Sequence, residues 1–117
     1  MKKNKVIIDG RIKFSLIKKF LENNWRKNFI LTQNKNVFNW QYYNSFEKKY
    51  NFLVYKKKTI YAFLGIIKNS KFSKILKQKD CLWLTTWVSN KKNLGAGLKL
   101  LEYAVKKFRY ELIGTIG

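Results

Sequence analysis

At 117 residues, 46% of them apolar and 17% aromatic, the chain can bury one core but not two, and it is too hydrophobic to stay disordered. Its formal net charge of +20 attracts polyanions, although the charge is almost all lysine and is spread along the chain. Histidine is absent and cysteine occurs once, which excludes a histidine base, a Ser-His-Asp triad, a Cys/His zinc site and an internal disulfide.

Arginine, the residue suited to bidentate contacts with bases and phosphates, appears only as Arg11, Arg26 and Arg109. Lysine, asparagine and isoleucine are abundant, alanine is scarce and proline is absent. An A/T-rich coding sequence produces that usage whatever the product does. A solvated basic surface is therefore preferred, with a small basic nucleic-acid-binding protein as the alternative. No apolar run, the one from Tyr61 to Ile67 included, is long enough to span a bilayer. Met1-Lys2-Lys3-Asn4-Lys5 opens like a secretory n-region, but Asp9 follows directly on Val6-Ile7-Ile8. That is no h-region, so a cytoplasmic protein with no membrane span is expected.

In chain order, Val6-Ile7-Ile8 and the turn pair Asp9-Gly10 read as a first, edge strand. Ser15 is the expected cap of a helix whose apolar face is Leu16, Ile17, Phe20, Leu21 and Trp25. Asn28 to Asn36 reads as a connection. A short helix capped by Asn34 or Asn36 then places Phe38 and Tyr42 on one face. Phe52 to Tyr55 and Ile60 to Ile67, separated by Lys56-Lys57-Lys58-Thr59, read as a hairpin. The second run is apolar on both alternating faces, as a central covered strand should be, and Gly65 within it suggests a bulge or a close backbone approach.

Asn69 to Asp80 is polar, with Phe72, Ile75 and Leu76 able to anchor one helical turn. Cys81 to Asn90 follows as a strand with faces Leu82/Leu84/Thr86/Val88 and Cys81/Trp83/Thr85/Trp87/Ser89, and Cys81 reads as a small buried hydrophobe. After the turn Lys91-Lys92-Asn93-Leu94 and Gly95-Ala96-Gly97, a helix is expected from Leu98 to about Tyr110, with Leu98, Leu101, Ala104/Val105 and Phe108 as its stripe. Glu111 to Gly117 begins another strand. The expected class is mixed α/β, a single domain over 1–117 without internal repeat or linker.

A glycine turn between a strand and a helix is an anion-binding device, because backbone N–H groups and the helix dipole point the same way. Walker A is excluded, since Gly97-Leu98-Lys99-Leu100 lacks the Gly-Lys-Ser/Thr ending. The dinucleotide fingerprint fails where Leu100 stands in place of the third small residue.

Lys92-Asn93-Leu94-Gly95-Ala96-Gly97 resembles the acyl-CoA loop of the GNAT N-acetyltransferase superfamily, Arg/Gln-x-x-Gly-x-Gly/Ala, with lysine where the family prefers arginine or glutamine. The order of elements around it is similar from about Ser15 to Gly117, and Phe38-Asn39-Trp40-Gln41-Tyr42 resembles a segment near the N-terminus of some members, bacterial sugar-pathway enzymes among them. The resemblance implies a mostly antiparallel central sheet flanked by helices, with the C-terminal part of the domain missing. It implies acetyl-CoA as acyl donor, with no metal, and an amine-bearing small molecule as acceptor, an amino sugar being one candidate. Pantetheine would pair with backbone groups near Trp87 and Val88, where the strand splays from the one beginning near Leu112. The pyrophosphate would take N–H groups from Asn93, Leu94, Gly95, Ala96, Gly97 and Leu98, with Lys92 adding charge. Trp40, Gln41 and Tyr42 would serve the acceptor, and self-association is compatible with this reading.

The family often uses a tyrosine beyond the last strand seen here as general acid, and a carboxylate on the central strand as base. That strand offers Thr85, Thr86 and Ser89, with Asp80 only at its threshold. No catalytic residue is therefore assigned. The strand begun at Glu111 is expected to be interrupted by truncation of a longer reading frame.

Overall fold

A computed structural model describes residues 7–45, 48–68, 82–93, 95–108 and 113–116. The expected helical turn within Asn69 to Asp80, the burial of Cys81, and Leu94 lie outside these residues. The elements are β1 (Ile7–Asp9), α1 (Phe14–Asn24), α2 (Ile30–Gln33), α3 (Lys35–Tyr42), β2 (Tyr43–Asn44), β3 (Lys49–Tyr50), β4 (Phe52–Lys56), β5 (Ile60–Lys68), β6 (Leu82–Ser89), α4 (Gly95–Phe108) and β7 (Ile113–Ile116). The class is mixed α/β, as expected. β2 and β3 form a small antiparallel ribbon, and the other strands form one sheet in the order β1-β4-β5-β6-β7. β1, β4, β5 and β6 run antiparallel to their neighbours, while β7 is parallel to β6.

Helices cover both faces of the sheet. On one face Ile17, Phe20 and Leu21 of α1, Leu31 of α2 and Phe38 and Tyr42 of α3 pack on Phe52, Val54, Phe63 and Val88. On the other, Ala96, Leu100 and Ala104 of α4 pack on Leu53, Ala62, Leu64, Ile66, Leu82 and Leu84. The two-residue period of a strand explains the division: Phe52 and Val54 point one way, Leu53 the other. β5 lies between β4 and β6 and is apolar on both faces, so the expectation of a central covered strand holds.

The helix ends carry several corrections. Ser15 is not the cap of α1; the N-cap position is Lys13, with extended backbone and no side-chain cap, and Ser15 lies inside the first turn. The start is secured instead by Phe14, which packs edge-on against Phe38 at 5.0 Å between centroids. Leu16 and Trp25, expected in the core, are 46% and 38% exposed. The stretch expected as a connection contains the single turn α2. The cap at Asn34 holds: its Oδ1 accepts from the N–H groups of Asn36 (2.9 Å) and Val37 (3.3 Å).

α4 begins at Gly95, three residues before its expected start, and the expected stripe holds in part: Ala104 is buried and Leu101 and Phe108 pack against the core. Leu98 and Val105 are instead 63% and 49% exposed, and Ala96 and Leu100 join Ala104 as the buried positions. The four-residue spacing of those buried positions is helical. Small residues at Ala96 and Ala104 bring the helix close to the sheet, and the bulkier Leu98 and Val105 turn outward.

β6 departs most from expectation. Leu64 of β5 pairs with Trp87 and Gly65 with Thr85, so Thr86 is an extra residue opposite none. It is a β-bulge, with Thr86 at φ 53, a left-handed conformation that a β-branched residue seldom takes. One inserted residue flips every side chain beyond it. Leu82 and Leu84 therefore face α4, while Val88 packs among α1–α3. The expected single face Leu82/Leu84/Thr86/Val88 does not exist.

Candidate functional site

The bulge decides what meets the N-terminus of α4. Beyond Thr86 the odd positions swing to the α4 face, and the Trp87 indole N–H donates to the Gly97 carbonyl at 2.9 Å. A Cβ on Gly97 would collide with Ser89 Oγ and lie 3.0 Å from Trp87 Nε1. Glycine is required at 97 so that α4 can sit on Trp87 and Ser89. Gly95 differs: a Cβ there meets nothing of the protein within 4 Å.

The turn between β6 and α4 is built from asparagine. Asn90 Oδ1 accepts the Lys92 N–H (2.7 Å), Asn90 O accepts the Asn93 N–H (3.0 Å), and Asn93 O accepts the Ala96 N–H (3.2 Å). Asn24 at the end of α1 accepts the Lys91 N–H through Oδ1 at 3.1 Å and anchors the turn to the opposite face of the sheet. These bonds commit the Asn93 and Ala96 N–H groups, which the sequence had assigned to a ligand. Lys92, Asn93, Gly95 and Leu98 are exposed, whereas Ala96 and Gly97 are buried. The anion-facing surface therefore reduces to Lys92, Gly95 and Leu98, and Leu94 lies outside the described residues. The first turn of α4 carries no acidic side chain. Its dipole and first-turn N–H groups add positive potential to that of Lys91 and Lys92.

The backbone of Val88 is also committed. Asn90 N–H donates to Tyr61 O at 2.7 Å, and Tyr61, Ala62 and Phe63 stand in regular register with Asn90, Ser89 and Val88. Antiparallel ladders alternate, so Val88 presents its amide and carbonyl to Phe63. Trp87 and Ser89 present theirs to the opposite edge. On that edge β7 pairs only Leu82 through Thr85 among the described residues, with Thr85 opposite Ile116. The edge beside α4 therefore carries Trp87, with its side chain 47% exposed.

The aromatic segment of α3 divides in the same way. Tyr42 has no exposed surface, and its hydroxyl donates to Thr86 Oγ1 at 3.0 Å, with Thr85 Oγ1 3.5 Å beyond. Its ring lies over Gly65, where a Cβ would collide with the phenol, so the suggested close backbone approach is real. Burial raises the Tyr42 pKa above 10.0, against the smaller lowering by its hydrogen bonds to Thr86, Gln41 and Thr85. Tyr42 thus braces the bulge from within the core and is out of reach of an acceptor. Trp40 is 65% exposed, whereas Gln41 is half-buried and its side chain is engaged by the Tyr42 hydroxyl.

A second concavity was not foreseen in the sequence. A cleft of about 400 Å³ opens between the second half of α1 and the β4–β5 turn, lined by Lys19, Asn23, Asn24, Lys56, Lys58 and Asn90 over Phe20 and Ile60. Its residues lie far apart in sequence, and none belongs to a motif. Among the described residues no group of His, Cys, Asp and Glu side chains could hold a metal, and no helix is long and apolar enough to cross a membrane. No protein-family model matches the chain, and no curated protein or solved structure is similar to it at a significant level.

Proposed function

We propose that the chain is a GNAT-type N-acetyltransferase domain that holds acetyl-CoA between the outer edge of β6 and the first turn of α4. The observation that carries this reading is the Thr86 bulge. It turns the backbone of Trp87 toward the edge of β6 that faces away from β5, past the described pairing with β7 and beside a helix N-terminus opened by Gly95. Pantetheine carries two amides and can pair with such an edge as an added strand would. The pyrophosphate then falls near Gly95 and Leu98, with Lys92 adding charge. The acceptor amine approaches from the α3 side and attacks the thioester carbonyl, with N–H groups of β6 steadying the oxyanion; as the amide forms the C–S bond breaks, and the departing CoA thiolate takes up the proton that the amine nitrogen loses. An exposed indole such as Trp40 suits the apolar face of a sugar ring, which favours an amino sugar as acceptor. No side chain is assigned as general acid or base.

Gly95→Glu separates ligand binding from folding. The new side chain meets open space, and a carboxylate at a helix N-terminus contributes about 0.3–1 kcal/mol to stability. The same carboxylate repels a pyrophosphate. Thermal unfolding of the native chain should shift upward with acetyl-CoA, by the equivalent of about 2.7 kcal/mol at a hundredfold excess over Kd, and that of the variant should not. No shift at millimolar ligand would refute the proposal. The net charge of +20 favours polynucleotide binding as the second reading. In that case Gly95→Glu has little effect, and free CoA does not displace a bound oligonucleotide.

A further inference from the structure

The cleft between α1 and the β4–β5 turn lies on the face of the sheet opposite α4, and the acyl-CoA reading makes no use of it. Its three lysines come from three separate places: Lys19 from α1, Lys56 from the end of β4 and Lys58 from the turn. No carboxylate lines it, and among the described residues none of the three forms an ion pair. Glu22, the acidic residue of α1, is engaged elsewhere, by Lys18 at 2.6 Å and by Gln33 at 3.2 Å. Three like charges around one concavity repel one another, and that repulsion is relieved when an anion enters.

The remaining lining fits such a guest. Asn23, Asn24 and Asn90 bring amide groups to the wall, and Phe20 and Ile60 form an apolar floor. Two of the three asparagines are already oriented: Asn24 by the Lys91 N–H and the Phe20 carbonyl, Asn90 by the Lys92 N–H. At about 400 Å³ the cleft is of small-molecule size, bounded by α1 on one side and the β4–β5 turn on the other.

We infer that this cleft is a binding site for a small phosphorylated metabolite, with a doubly charged phosphoryl group among Lys19, Lys56 and Lys58 and a compact apolar portion over Phe20 and Ile60. Lysine is suited to this task as a mobile point charge that meets phosphate oxygens from several directions. The inference is independent of the acyl-CoA proposal, and either can stand without the other.

The test is titration of the full chain with inorganic pyrophosphate and with a nucleoside diphosphate, read at the side-chain amides of Asn23, Asn24 and Asn90 by heteronuclear NMR. Saturable shifts confined to these amides and their neighbours are expected. A charge-assisted contact is worth about tenfold in affinity, so Lys19→Gln/Lys56→Gln/Lys58→Gln should weaken binding by more than about a hundredfold. The charge-matched control Lys35→Gln/Lys49→Gln/Lys106→Gln, on exposed surface elsewhere, should change it by about twofold or less. Gly95→Glu should leave it unaltered, which separates this site from the one at α4. The inference is overturned if the shifts do not saturate, if both triple variants weaken binding equally, or if the shifts map to Gly95 and Leu98. Unchanged thermal unfolding of the triple variants, all built at exposed or half-exposed positions, shows that the fold is retained.

Discussion

Replacing Gly65 by alanine tests the account of the β5–β6 bulge. The added Cβ would collide with the Tyr42 hydroxyl oxygen and stand 2.6 Å from both Cε1 and Cζ of that ring. Tyr42 is fully buried and packed against Phe38 at 5.1 Å and Phe63 at 6.0 Å between ring centroids, so it has no room to retreat. Overpacking of this kind costs about 1–3 kcal/mol. Pulling the phenol from Thr86 Oγ1 breaks a buried hydrogen bond, for about 0.5–1.5 kcal/mol more. The sum, about 1.5–4.5 kcal/mol, is a large part of the 5–15 kcal/mol that holds a typical domain together. Urea unfolding followed by tryptophan fluorescence reads it as a lowered midpoint at constant slope. Tyr42→Leu alone should cost about 2–3 kcal/mol, but in that background Gly65→Ala should cost less than about 0.5 kcal/mol, because the ring it struck is gone. An equal penalty in both backgrounds would refute the Tyr42–Gly65 contact as the reason for the glycine.

Three further outcomes follow from the same geometry. Gly97→Ala drives a Cβ into Ser89 and Trp87 and should cost about 1–3 kcal/mol, with a red shift of Trp87 emission. Gly95→Ala, built into open space, should be neutral or stabilise by about 0.4–1 kcal/mol, so equal effects at the two glycines would contradict the docking described. Asn34→Ala removes the acceptor of two N–H groups at the start of α3 and should cost about 1 kcal/mol in the same urea assay, with no loss contradicting the cap. Tyr42 has its folded pKa raised above the unfolded value of 10.0, so its contribution is fully present below pH 10.0 and is lost as pH rises through the folded pKa. Relative to Tyr42→Phe, the native chain should therefore lose up to about 1.4 kcal/mol per pH unit from pH 10.0 up to the folded pKa, and parallel curves would contradict the burial of an un-ionised phenol.

Where side chains act on their own neighbourhood, the sequence could be read. Asn34 announces α3 because its short amide satisfies the free N–H groups of a first turn, and Phe38 and Tyr42 share a face by simple spacing. The β4–β5 hairpin followed from two β-forming runs around a lysine-rich gap, and Gly65 marked the close approach of another group. The failures share one origin, a tertiary contact overriding a local preference. Glycine is a poor helix former, so Gly95 and Gly97 read as a turn, yet the docking on Trp87 and Ser89 needs a small residue within the helix. Threonine disfavours the left-handed conformation, so nothing at Thr86 announced a bulge, and the strand was read in a single phase. In the candidate site, the Lys92–Gly97 segment joins β6 to the start of α4 as a strand–glycine–helix junction, and its residues divide between the interior and the surface. Ala96, Gly97 and the backbone of Val88 hold the structure together, and Lys92, Gly95 and Leu98 face outward.

The extra residue in β6 has a consequence for insertions and deletions. Elsewhere in a two-faced strand the loss of one residue scrambles burial, but removal of Thr86 would leave Thr85 opposite Gly65 and Trp87 opposite Leu64 in the regular alternation of a strand. Trp87 would still point at α4 and Val88 at α1–α3, with no change of face on either side of the deletion. Thr86 is thus a point where the sheet absorbs a one-codon deletion: the Gly97 carbonyl keeps its indole donor, and the loss falls on the buried Tyr42 hydroxyl, whose Thr86 partner is gone.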